Sequence, residues 1–101
     1  MYLVTTLWKF GSPAQAREAL QRLRDSFGPL IGAQAGLRVW YLASVATDEC
    51  VSTSVWDSRA AYETAQPPMS AWGQEHLADL DARVLYRRRG DLVAQEGPAS
   101  R

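Results

Sequence analysis

Residues 50–66 read CVSTSVWDSRAAYETAQ, and within them a two-residue alternation passes without a break into a helical pattern. Val51, Thr53 and Val55 fall on one face and Cys50, Ser52, Ser54 and Trp56 on the other, which is the period of a strand. Asp57 and Ser58 then offer side-chain oxygens to the free amides of a first helical turn. Arg59 to Gln66 are helix formers, and Pro67-Pro68 is expected to end the helix. A helix therefore leaves directly from a strand end.

Two further strands flank this unit. Upstream, Tyr2, Val4, Thr6, Trp8 and Phe10 alternate with Leu3, Thr5, Leu7 and Lys9, so both faces of the first strand are largely apolar and both need cover. Ser12 caps a helix with Pro13 at its first position and Gln15 placed to complete a capping box. Ala16, Leu20, Leu23 and Phe27 form its apolar stripe, and Gly28-Pro29 is expected to stop it. Leu37 to Val45 alternates as a strand, and the short Thr47-Asp48-Glu49 connection makes a hairpin with the strand that follows.

Beyond the diproline, Ser70 is placed to cap a second helical piece on which Trp72, His76 and Leu80 share a face. Ala82 to Arg89 alternates as a last strand, and the remainder from Gly90 is short and polar, with Leu92-Val93 available as an added strand for a neighbour. The order β, α, β, β, α, β, with the second helix broken, is the ferredoxin-like plan of an α+β fold: an antiparallel sheet with both helices on one face. Residues 1–90 form the domain and 91–101 a C-terminal tail. The bare sheet face predicts a homodimer, two such faces closing around a twofold axis into a barrel.

Composition bounds the chemistry. In 101 residues, four Trp, four Tyr and two Phe are many for one modest core, so some belong at a partner surface or in a pocket. Eleven basic and eleven acidic side chains cancel, which removes the broad field that nucleic-acid or anionic-membrane binding uses. No window approaches a membrane span and the N-terminus has no secretory pattern, so a cytoplasmic protein is expected. One Cys and one His exclude a Cys/His zinc site, and Cys50 reads as a buried packing residue.

No phosphate loop, nucleophile elbow, carboxylate cluster or dinucleotide fingerprint occurs. Trp72 and His76, one helical turn apart, place an imidazole beside an indole, either as a general base at an aromatic pocket or as a core tryptophan beside a helix-end histidine. Trp8, Trp40 and Trp56 read as packing or as cavity walls. Tyr41, Tyr62 and Tyr86 are available as phenolic donors. Arg38, mid-strand among apolar residues, needs a carboxylate, solvent at a pocket mouth, or an anionic ligand. Arg87-Arg88-Arg89 reads as charge guarding a strand edge.

The order of strand, Trp56, Asp57, Ser58 and an alanine-rich turn bearing Tyr62 resembles the antibiotic biosynthesis monooxygenase family of the dimeric α+β barrel superfamily. The resemblance implies oxidation of a flat, often polyketide-derived aromatic by molecular oxygen with no metal, flavin or haem. A phenol or anthrone loses a proton, and its anion reduces oxygen directly in a dry pocket. His76 is then the expected base, with Trp40, Trp72 and Tyr62 shaping the pocket and Arg38 as a candidate substrate contact. A haem-degrading branch of the fold uses an asparagine on the first strand, and this chain has none. The competing class is a non-catalytic dimeric domain that binds a small ligand, distinguished by whether a cavity with converging polar groups exists.

Overall fold

The computed structural model describes residues 1–97. Strands β1 (Tyr2–Lys9), β2 (Leu37–Ala46), β3 (Glu49–Trp56) and β4 (Arg83–Asp91) form one antiparallel sheet in the order β2-β3-β1-β4. Helices α1 (Pro13–Arg22), α2 (Gly28–Gly32) and α3 (Arg59–His76) pack on one face. This is the ferredoxin-like α+β arrangement expected from the alternating segments. Residues 98–101 of the expected tail, Pro98 among them, lie outside the described residues. β4 ends at Asp91, and Leu92 N–H then donates to Met1 C=O at 2.8 Å.

The helical face of β1 and β3 is the core. Tyr2, Val4, Thr6, Cys50, Ser54 and Trp56 are all buried there. Trp56 is fully enclosed and meets Tyr62 of α3 edge-on at 5.8 Å, so the residue pair that marks the strand-to-helix passage is also the centre of packing. Ser58 caps α3 by accepting from Ala61 N–H, as its position implied. Gly36 has φ +85° where the chain enters β2, and a Cβ there would stand 2.6 Å from that of Ala61, so only glycine lets the loop lie against α3.

Three helix boundaries differ from the sequence reading. Gly28-Pro29 does not stop the first helix: Leu23–Phe27 form a π turn in which Gly28 N–H reaches back to Leu23 C=O, and Pro29 then opens α2. The wider turn removes the clash between a proline ring and the carbonyl four residues earlier. Nor does the diproline break α3, which runs through Pro67 and Pro68. The carbonyls freed by the two prolines belong to Glu63 and Thr64, both exposed, so water can satisfy them while Tyr62, Ala65 and Trp72 hold the helix down. Finally, Gln15 closes no capping box; its amide turns to Asp81 at 3.3 Å while its backbone N–H takes the Ser12 cap at 3.1 Å.

The opposite sheet face carries Leu3, Leu7, Val39, Tyr41, Val51, Val55 and Tyr86, and no helix covers it. Tyr41 is 62% exposed. Leu85 is accommodated by a bulge between Leu7 and Trp8 in the β1–β4 register, which shifts the alternation read from the sequence of β4. No helix of the described residues is long and apolar enough to cross a membrane.

Candidate active site

Between the sheet and α3 lies a cavity of about 340 Å³. Val4, Thr6 and Trp8 of β1, Ser52 and Ser54 of β3, and Tyr62, Met69 and Trp72 of α3 are among its walls, with Phe27 from the π turn. The π turn matters here. It turns Phe27 against both Trp40 (5.7 Å) and Trp72 (5.1 Å), and it puts the Ser26 hydroxyl where it accepts from Trp72 Nε1 at 2.9 Å. Trp72 is thereby held as a wall by a tilted ring contact on one side and a hydrogen bond at its rim.

Three hydroxyls on the sheet side are among the cavity's polar groups. Thr6 and Ser52 are directly opposite in the β1–β3 register, and Ser54 follows two residues along the same face. Each accepts an N–H: Thr6 Oγ1 from Arg87 Nε at 3.1 Å, Ser52 Oγ from Trp40 Nε1 at 2.9 Å, and Ser54 Oγ from Trp56 Nε1 at 2.9 Å. A hydroxyl has one proton to give, and an indole or guanidinium N–H can only donate. All three oxygens are therefore used as acceptors, and each hydroxyl's own proton is left for another partner. Such a row suits an oxyanion.

The residues singled out in the sequence divide. Tyr62 and Trp72 line the cavity. Trp40 does not, but it acts on it by orienting Ser52 and backing Phe27. Arg38 stands apart, its Nε paired with Asp57 Oδ1 at 2.5 Å with both side chains more than half exposed, so its need for a carboxylate is met within the chain. His76 is not among the lining residues either. Its ring packs on Trp72 with centroids 4.8 Å apart, its Nε2 lies 3.8 Å from Glu75, and its carbonyl accepts from Arg22 at 2.6 Å. Four-residue spacing brought imidazole and indole together as read, but of the two only the indole lines the cavity.

Sequence reasoning passed over Thr6, Ser52, Ser54 and Arg87. The signal was present: hydroxyls interrupt two otherwise apolar rows, and a buried hydroxyl requires a partner. Arg87 was read with its neighbours as edge charge; only the register with Thr6 shows that it faces the helices while Arg88 turns to the other face and lies over Tyr86 at 5.5 Å. Cys50, buried beneath α1, has its thiol pushed up to about 11 by burial, which keeps it protonated and inert. Among the described residues no three His, Cys, Asp or Glu side chains cluster as metal ligands would.

No family model and no curated protein matches the chain. Solved structures do. A dimeric ferredoxin-like protein from an uncultured marine organism is 18% identical, with a TM-score of 0.77 over 96% of this chain and 98% of that one. A monooxygenase from the gene ActVA-Orf6 of Streptomyces coelicolor, in complex with the ligand nanaomycin D, is 15% identical with a TM-score of 0.74 over 97% and 92%. The chain has the fold of these monooxygenases. SnoaB, a cofactor-independent oxygenase from Streptomyces nogalater, has 16% identity and a TM-score of 0.67 over 98% of this chain and 97% of that one. The structural neighbours thus have the fold that the resemblance implied.

Proposed function

We propose that the protein is a homodimeric, cofactor-independent monooxygenase that oxidises a small flat aromatic, polyketide-like substrate in the cavity under α3. One observation carries the reading: three wall hydroxyls have their acceptor sides occupied and their protons free, in a cavity walled by Trp8, Phe27, Tyr62 and Trp72. An anthrone or phenol between those rings would place its oxygen on Thr6, Ser52 and Ser54. Their hydrogen bonds strengthen as charge develops on that oxygen, so the anion gains more than the neutral substrate. The anion passes an electron to oxygen, and recombination gives a hydroperoxide. Loss of water leaves one oxygen atom on the ring as a new carbonyl in place of two hydrogens.

In this reading His76 is the base, taking the proton through solvent past the edge of Trp72, and Trp40 keeps Ser52 in its donating orientation. The open sheet face supports the dimer: it is apolar along β1, β2 and β3, and a partner's matching face would cover it. A cytoplasmic setting agrees with a single buried thiol. The test is oxygen uptake with a panel of anthrones, quinols and phenols by protein freed of metal with a chelator. Uptake that matches substrate loss is the expected result. If His76→Ala leaves turnover of the confirmed substrate unchanged, solvent is the base.

The second reading, a dimeric domain that binds an aromatic ligand without turnover, is favoured by the absence of carboxylate and imidazole among the lining residues. Tight binding across the panel with no oxygen uptake would establish it.

A further inference from the structure

The cavity is polarised along its length. Val4, Thr6, Leu23, Ile31, Ser54, Tyr62, Trp72 and Leu77 are buried lining residues, whereas Ser70, Gln74, Ala78 and Arg87 line it while exposed, which marks the opening between α3 and β4. Arg87 is the one charged side chain among the lining residues. Its situation differs from that of the four ion-paired arginines. Arg22, Arg24, Arg38 and Arg59 each pair with a carboxylate at 2.5–3.0 Å. Arg87 instead spends its Nε on a neutral hydroxyl, Thr6 Oγ1. That bond holds the guanidinium plane and leaves the two terminal nitrogens as a fork.

We propose that the cavity selects aromatic molecules that carry a carboxylate, with the rings seated against the walls that Trp72 and Tyr62 present and the carboxylate held end-on by the Nη pair of Arg87 at the mouth. This deepens the reading of the cavity as an aromatic site and rests on it, but it concerns recognition rather than turnover. A planar fork matches a planar carboxylate through two parallel hydrogen bonds. The neutral polar groups around the opening, Ser70 and Gln74, would hydrate the rim without competing for the cation. An uncharged polyaromatic of the same size gains the stacking and loses the fork, so charge is where selection arises.

The experiment is calorimetric titration of the full-length protein at neutral pH with 2-naphthoate and with its uncharged amide, 2-naphthamide. The expected result is that the acid binds about tenfold or more tighter than the amide, the usual worth of a charge-assisted pair over a neutral one. Arg87→Met should abolish that preference while leaving the amide's affinity within about twofold, and Arg87→Lys should restore part of it. Because Arg87 is exposed on an edge strand, the amide serves as the fold control within each variant. Equal binding of acid and amide, binding of neither, or a proportional loss of both in Arg87→Met overturns the proposal. Oxygen uptake separates the two readings: a preference that stands with no uptake sinks the monooxygenase alone, and uptake without the preference sinks only the carboxylate.

Discussion

The two faces of β1 and β3 carry the same residue types to opposite ends. On the helical face Thr6, Ser52 and Ser54 accept from Arg87, Trp40 and Trp56 and keep their protons for a ligand. On the open face Thr5 and Thr53 lie opposite each other and close a mutual hydrogen bond at 3.0 Å, which spends one hydroxyl's proton on the other. A large aromatic N–H behind a hydroxyl frees it for chemistry, while a second hydroxyl beside it quenches it. The apolar residues differ likewise: Trp56 and Tyr2 are sealed by helices, and Val51 and Val55 wait half-buried for a partner.

The sharpest way to break the contrast is to charge the open face. Val51→Asp should turn a dimer into a monomer by analytical ultracentrifugation at micromolar concentration, since a lone carboxylate in a closed barrel has no counter-ion. A wild-type monomer under the same conditions would remove the dimer outright. Next in size, Trp56→Ala should lose about 3–5 kcal/mol in urea melts by opening a cavity in the sealed core. The paired change on the open face, Val55→Ala, should cost well under half as much.

With a confirmed substrate, Ser52→Ala should lower kcat about a hundredfold, the usual effect of removing one preorganised donor to an oxyanion. Thr53→Val, one residue along on the other face, should leave kcat unchanged; equal losses would refute the assignment of the hydroxyl row. Cys50 gives a smaller test. With its pKa raised to about 11 by burial, the thiol stays neutral and should resist alkylation at pH 8, whereas Thr47→Cys, on the exposed hairpin connection, in a Cys50→Ser background should react readily. The raised value also has a sign: its contribution to stability is complete below the ordinary thiol pKa and is lost as pH rises from there through about 11.

The smallest effect lies far from both faces. Arg22 lowers the pKa of Asp79 chiefly through their hydrogen bond, so the link they make between α1 and the turn after α3 is present above the ordinary carboxyl range and is lost as pH falls below it. Both groups are at the surface. Asp79→Asn should therefore flatten only the acid limb of the stability profile, read by thermal melts between pH 2 and 6.

The fold was legible because its signals are local. Strand alternation, the Ser12 and Ser58 caps and the hairpin connection each act within a few residues, and all appear where they were read, save that Glu49 already belongs to β3. Pro29 and the Pro67-Pro68 pair misled, because whether a proline ends a helix depends on what surrounds the carbonyls it frees. The candidate site was half legible. Tyr62 and Trp72, read as pocket walls on two separate helical pieces, line one cavity from a continuous α3, but Arg38 found its carboxylate on the loop after β3, and His76 packs on Trp72 without lining the cavity.

The amino-acid order alone set the α+β plan, the apolar character of both sheet faces and the pairing of Trp72 with His76, because each depends only on periodicity along the chain. Which hydroxyls keep a proton, which arginine faces the cavity and which aromatic residues leave a space between them were decided by strand register and helix packing. Those properties join residues as far apart as Thr6 and Arg87, and no local pattern encodes the distance between them.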